Sequence, residues 1–404
     1  MNDVIDFTDC EHIYRDFGGS DRKIGVLYNN EVYMIKFSEN HAKQTDMSTS
    51  YVNNALSEYI SSHIMESTGL PTHETVLGLY NGEVVVGCKD FREHGDYNIE
   101  FADLMRIKYD SKDIKRIVML NQIYDTLKDP QINLSKELIQ KSIDRYWETF
   151  VVDSITGNFD RHIGNWGYIS KNNNLILAPV YDNGSTLFPK LSEEGILSKH
   201  SSFREMMARC LVFPSPALCL TREKVGKVGY YDMLSSNYDS NCTKALIKML
   251  PKIDMNRIDN IIDKTPFISD IRKEFYKDII KLRKEVILDR AYEHCISKNY
   301  DKEAYNRLTN GIQYSDKLLD IQLKNILSET NIKPEQFILS NSIPSIHNDN
   351  DIDDILNMIE QDNPEPIITK EDIEHDNNNI HLGYGDKQEH AYQDIQDQEE
   401  YDLE

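Results

Sequence analysis

The chain carries the stretch Asn158-Phe159-Asp160-Arg161-His162-Ile163-Gly164-Asn165, followed downstream by Pro179-Val180-Tyr181-Asp182. An Asp and an Asn at the spacing of Asp160 and Asn165, on a tight loop, can orient an attacking hydroxyl and hold one metal ion. A second Asp on the next element can bridge metal to the β- and γ-phosphates of a nucleotide, and Asp182 is placed to do so. The chemistry open to these types at these spacings is phosphoryl transfer from Mg-ATP. Asp and Asn are common in this sequence, so the elements that position the three must carry the argument.

Upstream, Ile139, Ile143, Tyr146, Trp147, Phe150 and Val151 share one stripe of an amphipathic helix that ends near Gly157. The loop therefore opens at a helix C-terminus. Downstream, residues 166–170 and 175–180 read as two short strands around Asn172-Asn173-Asn174, so Asp182 emerges from a hairpin close to where Asn165 enters it.

The first half of the chain supplies what a nucleotide site still needs. Residues 11–17, 24–28 and 31–37 read as strands, joined by a turn running from Gly18-Gly19-Ser20 to Lys23 and by Asn29-Asn30. Paired glycines let backbone N–H groups approach phosphate, and the strand-borne Lys36 offers a point charge for the α- and β-phosphates. A helix follows with Val52, Ala55, Leu56, Tyr59, Ile60 and His63 on one stripe, stopped by Gly69-Leu70-Pro71. Residues 73–79 and 83–88 form a second hairpin through Asn81-Gly82, and Lys89-Asp90-Phe91 would be the hinge to a second lobe.

These residues resemble the HipA-like serine/threonine kinases of bacteria. The resemblance rests on Ile35-Lys36, on Ser57-Glu58 with Gly69-Leu70-Pro71, on the loop from Asn158 to Asn165, and on Pro179 to Asp182, and it runs from about residue 11 to residue 300. It implies Asp160 as catalytic base, Asn165 and Asp182 as magnesium ligands, Lys36 as the phosphate lysine and Glu58 as its ion-pair partner. It also implies ATP and Mg2+ as cofactors. With the Gly-Gly turn reached by residue 18, the chain is similar to the short members that lack an extra N-terminal subdomain. An antitoxin-like partner or a separately encoded small subunit is the partner class the family brings, beside a protein substrate with a Ser or Thr acceptor. The family's autophosphorylated serine lies beside the glycine loop, where Ser20 is the candidate here.

Each residue also has a plainer reading. Lys36 suits a solvated edge strand. Glu58 falls away from the Val52-Leu56-Tyr59 stripe, where an exposed glutamate is ordinary. His162 reads as a packing residue that hydrogen-bonds its loop, and Arg161 either pairs with a carboxylate or faces solvent.

At 404 residues and 39% apolar content the chain has room for two packed lobes and an appendage. Its six cysteines form no C-x-x-C and no zinc spacing, so a reducing cytoplasm is the expected location. The start of the chain has no basic, then apolar, leader, and no run approaches the roughly 18 apolar residues of a membrane helix. From Ser345 to Glu404, 19 acidic residues face only Lys370 and Lys387, so this segment holds −17 of the net −23 and leaves −6 for the rest. So acidic and polar a tail cannot bury enough surface to offset its ordering entropy, with 351–359 its one helix-compatible stretch. No basic aromatic patch points to nucleic acid.

The expectation is an α+β, two-lobed, protein-kinase-like fold: a small lobe over 1–92, a larger, mostly helical lobe over 93–330, and an acidic tail over 331–404. Its function would be ATP-dependent phosphorylation of Ser or Thr. Two alternatives stand beside it. Phosphoinositide-type lipid kinases carry a similar Asp-Arg-His-x-x-Asn loop, against which stand Tyr181-Asp182-Asn183-Gly184 and the lack of a basic membrane-facing patch. The other is a nucleotide-binding pseudokinase serving as an interaction module.

Overall fold

The computed structural model describes residues 4–334, apart from positions 16, 18–21, 39–52, 94, 112–113, 115, 173, 221–226, 298 and 331. Gly18, Gly19, Ser20 and the acidic stretch from 335 onward, with its helix-compatible 351–359, lie outside the described residues.

The N-terminal part is built on one sheet. Its strands are β1 (Ile5–Asp6), β2 (Glu11–Ile13), β3 (Lys23–Tyr28), β4 (Glu31–Phe37), β5 (Thr75–Tyr80) and β6 (Glu83–Lys89), in the spatial order β1-β5-β6-β4-β3-β2. Both tight hairpins use left-handed residues, Asn29 and Asn30 at φ 52° and 64°, Asn81 and Gly82 at 51° and 79°. Turns of that type match the twist of the flanking strands.

Alternation along β4 sorts the side chains onto two faces. Tyr33, Ile35 and Phe37 join Phe7, Val26, Val76 and Val85 in one apolar cluster. Met34 and Lys36 point the other way, toward Leu77, Val86 and Cys88 and the helix α1 (Asn54–Ser67), whose Ala55 and Leu56 close that side. Phe7 seals the first face against backbone, since a Cβ on Gly78 or Gly87 would meet its ring at 2.5 or 2.8 Å. Gly69, at φ 82°, ends the turn that follows α1.

The rest of the chain is mostly helical. Two small sheets punctuate it: β7 (Tyr97–Glu100) with β9 (Gly167–Lys171) and β10 (Asn174–Leu177), and β8 (Val118–Met119) with β11 (Leu218–Cys219). Between them run α2 (Phe101–Tyr109), α3 (Leu120–Leu127) and α4 (Lys136–Thr156), then α5 (Glu193–His200) and α6 (Phe203–Leu211). There follow α7 (Tyr230–Ser235), α8 (Ser240–Met249), α9 (Met255–Lys264), α10 (Asp270–Arg283), a π-helical stretch over Lys284–Asp289, α11 (Arg290–Ser297), α12 (Lys302–Asn310) and α13 (Asp316–Glu329).

Helix α4 is the axis of this part. Its stripe of Trp147, Phe150, Val151 and Ile155 is fully buried in one cluster with Phe275, Ile279 and Leu282 of α10. Ser135 caps its N-terminus by accepting from the Leu138 N–H, and Gly157, at φ 70°, ends it. Arg283 packs against that end and donates to the Ile155 and Arg209 carbonyls, so closely that a Cβ on Gly157 would lie 2.2 Å from its guanidinium. The chain thus adopts the α+β class expected of it. Strands β1 and β7 were not expected, and the strand expected over 11–17 is only the three residues of β2.

Candidate active site

Strand β4, helix α1 and the segment after β10 converge on one ion-paired cluster. Lys36 Nζ lies 2.9 Å from Glu58 Oε2 and 2.7 Å from Asp182 Oδ1. Glu58 is 1% exposed, because the side of α1 that looks polar in sequence faces the sheet and the Asp182 segment rather than solvent. Its second oxygen accepts from the Asn183 N–H at 2.8 Å and lies 3.0 Å from His73 Nε2. Ser62, one turn along α1, bonds both His73 and the Asn183 amide.

Burial alone would push the Lys36 ammonium down, but Asp182 and Glu58 together override it and hold the lysine charged, well above its usual range. Burial would likewise raise Glu58. Lys36, His73 and the Asn183 N–H hold it well below the usual carboxylate value instead. Asp182 is lowered in the same way, with Lys36 outweighing desolvation. Glu58, His73 and Cys88 bring three ligand-type atoms within 4.8 Å of one another. Burial and the Glu58 carboxylate keep the Cys88 thiol protonated, and the cation that Glu58 serves is Lys36, so the trio forms the wall of the lysine site.

The loop after α4 is fastened from below. Asp153, on the last turn of α4, receives Arg161 through Nε at 2.9 Å and Nη2 at 3.1 Å, and accepts from the Asn158 amide. Arg161 also donates to the carbonyls of Asn165, Tyr181 and Asp182 and to the Asn183 side chain. Burial disfavours this guanidinium, but Asp153 overrides the penalty and raises it above its usual value. One cation thereby ties the Asp160–Asn165 loop to the Asp182 segment. Asn165 donates to the Asp160 carbonyl at 2.7 Å, which makes Oδ1 the ligand end of its amide. Asp160 receives the Asn158 side-chain oxygen on its backbone N–H, leaving its half-buried carboxylate on the open side of the loop.

His162 packs into its loop, where Nδ1 accepts from the Gly164 N–H at 2.9 Å and burial lowers its basicity. Its expected structural role and this geometry coincide. Lys23 lies across from Lys36 in the β3–β4 ladder. Lys89 is not brought to the cluster: its side chain lies on the Tyr33 face of the sheet, with Nζ 3.0 Å from Glu31 and 3.8 Å from Glu74. Asp90 is taken up by Arg15 and Arg92, each within 2.9 Å, and Phe91 stacks on Tyr181. His73, Asp153 and Asn183 are site residues that the sequence reading missed. A usable signal was Asp153 itself, an acid set inside the apolar run from Phe150 to Ile155.

The profile of the HipA-like C-terminal domain matches residues 16–224. The chain belongs to the HipA-like family. It is 37% identical over 297 residues to the serine/threonine-protein kinase CtkA of Helicobacter pylori, covering 72% of this chain and 89% of that protein. The crystal structure of that proinflammatory kinase superposes with a TM-score of 0.68 at 36% identity, over 74% of this chain and all of the other. The HipA of Shewanella oneidensis, solved with HipB and operator DNA, matches at a TM-score of 0.45 and 14% identity over 69% of this chain and 66% of its own. The chain is therefore a HipA-like kinase of the serine/threonine type, with the kinase-like fold expected from its sequence. Among the described residues, no helix is long and apolar enough to cross a membrane.

Proposed function

We propose that the chain transfers the γ-phosphoryl group of ATP to a Ser or Thr hydroxyl on a protein, with Asp160 as base and Asn165 and Asp182 as the metal ligands. The observation that carries this reading is Lys36, held between Glu58 and Asp182, with Arg161 tying the Asp160–Asn165 loop to the Asp182 segment. Such a lysine is pre-oriented to give up Asp182 and meet phosphate oxygens. Asp160 takes the acceptor proton, Arg161 fixes the spacing of the two ligand residues, and Glu58 keeps Lys36 directed into the cleft. An amide oxygen and a carboxylate are hard oxygen donors that suit Mg2+. When bound at Asn165 and Asp182, the ion supplies neutralisation of phosphate charge. We place the change from small to large lobe near residues 92 and 93, where the first sheet has ended and β7 has not begun.

The test is transfer of radiolabelled phosphate from ATP to dephosphorylated casein and to the chain itself, with Asp160→Asn and Asp182→Asn beside wild type. Both variants are expected to lose at least about 100-fold in turnover. Wild-type turnover in Asp182→Asn would remove the site assignment. Nucleotide binding without transfer by wild type under varied metal and acceptor would support the pseudokinase reading, and transfer to phosphoinositide vesicles but not to protein would support the lipid-kinase one.

A further inference from the structure

A pocket of about 380 Å3, its mouth included, lies between α4 and the chain on either side of the β9–β10 hairpin. Arg145, Tyr146 and Thr149 of α4 form one wall, and Trp166 with the run from Leu177 to Val180 forms much of the other. That volume is at the small end of ligand pockets, which span roughly 300–1,000 Å3. The lining is apolar apart from hydrogen-bond donors and two arginines. No aspartate or glutamate is among the described residues that line it.

Two of those donors are left wanting by the fold. The Trp166 indole N–H is buried with no acceptor among the described residues, although its ring is pinned by stacking on Phe101 at 4.1 Å. A buried donor without a partner costs free energy that an incoming acceptor recovers. Arg145 makes no ion pair among the described residues. Glu148, the acid whose field reaches it, is held by Lys248 of α8. Its contact with the Pro71 carbonyl is long, at 3.5 Å, on an oxygen that already accepts the Val180 N–H at 2.7 Å. Burial lowers the basicity of this guanidinium, which nonetheless stays charged. Arg161, on the same lining, has Asp153 instead.

We infer that this pocket binds a small carboxylate with a flat or branched apolar body, its carboxylate on Arg145 with the Trp166 N–H as second donor, and its body against Leu177, Pro179 and Val180. A planar carboxylate matches the guanidinium fork. The apolar walls favour it over a phosphate, whose second charge costs more to strip of water. The pocket stands apart from the proposed phosphoryl transfer, since neither Lys36, Asp160 nor Asp182 lines it. Arg161 and Asn165 do line it, so an occupant touches the Asp160–Asn165 loop from the α4 side.

The experiment titrates sodium benzoate into the full chain, read by calorimetry and by tryptophan fluorescence, for wild type, Arg145→Gln, Arg145→Lys and Trp166→Phe, with a thermal melt of each to confirm folding. Wild type should bind saturably with a Kd of about 0.1–1 mM, as suits so small a ligand. Arg145→Gln should weaken binding at least about tenfold, the scale of a charge-assisted hydrogen bond, and uncharged benzamide should bind wild type about as weakly. Arg145→Lys, which keeps the charge but not the fork, should lose less. Trp166→Phe should weaken calorimetric binding about threefold and abolish the fluorescence change, because the other tryptophan, Trp147, is buried in the core. If Arg145→Gln does not fold, the contrast between benzoate and benzamide and the Trp166→Phe titration decide the matter. No saturable binding up to about 10 mM, equal binding by Arg145→Gln, or outright displacement of benzoate by Mg-ADP overturns the inference.

Discussion

Replacing Glu58 by Gln keeps the volume of the side chain and removes the charge on which three donors converge. Lys36, His73 and the Asn183 N–H lie 2.9, 3.0 and 2.8 Å from its two oxygens, at 1% exposure. Hydrogen bonds to a charged group are worth about 1 kcal/mol more each than neutral ones, so three lose about 3 kcal/mol. The glutamine NH2 must also face one of those donors, which leaves a buried donor unsatisfied at a cost of about 1–3 kcal/mol. The sum is close to the roughly 3–5 kcal/mol found when one partner of a buried pair is removed. At about 2 °C per kcal/mol for a chain of this size, the melting temperature should fall by about 6–10 °C. Calorimetry across pH gives a sharper check. Glu58 titrates lower in the folded chain than its ordinary value of 4.5, so its contribution is complete above that pH and is lost as pH falls toward the folded value. The gap between wild type and Glu58→Gln should hold constant from pH 8 to pH 5 and narrow below 4.5. Turnover should fall as well, because Lys36 is then left to Asp182 alone. A gap under about 2 °C at neutral pH, with unchanged turnover, would refute the ion-pair argument.

Asp153→Asn should destabilise by about 3–5 kcal/mol, read by denaturant unfolding, since it leaves Arg161 buried without its acid. Any folded fraction should need more magnesium for half-maximal rate, because Arg161 no longer fixes Asn165 against Asp182. Gly157→Ala puts a Cβ 2.2 Å from the Arg283 guanidinium at φ 70° and should lower stability by more than the about 1–2 kcal/mol of the left-handed backbone alone, measured by calorimetry. Lys89→Ala should leave ATP KM and kcat within about twofold of wild type, because its side chain lies on the other face of the sheet, and a larger loss would return it to the site.

What the sequence made legible was local. The loop from Asp160 to Asn165, the hairpins at Asn29-Asn30 and Asn81-Gly82, and helix α4 with its Gly157 stop are each set by neighbours in the chain, so spacing and turn chemistry suffice to read them. Glu58 shows where that ends. Its helix stripe predicts exposure, and only Lys36 from β4 and Asn183 from beyond β10 make the polar side of α1 an interior. His73 and Asn183 are invisible for the same reason, since each acts through a residue remote in sequence. Strands β1 and β7 are too short for alternation to register, and β1 exists because Phe7 must cover Gly78 and Gly87. The sequence also offers Lys89, at the start of the expected hinge, as a second lysine beside the nucleotide with Lys36. Only the ladder register, which pairs Lys89 with Tyr33 and Lys36 with Val86, separates their faces.

The bonds of Arg161 bear on how such an enzyme can be turned off. The guanidinium grips the Tyr181 and Asp182 carbonyls and the Asn183 side chain from a seat buried against Asp153. An outward swing of the segment that bears Asp182 would break all of these together and leave the buried guanidinium to Asp153 and the Asn165 carbonyl. That route to an inactive state is therefore steep, as it is for any inhibitor whose binding demands the vacated space. A motion of α1 is no cheaper, since Glu58 would leave Lys36, His73 and the Asn183 N–H together. Compounds that silence this chain should accordingly compete directly with nucleotide, and leave both α1 and the floor beneath Asp182 as they are.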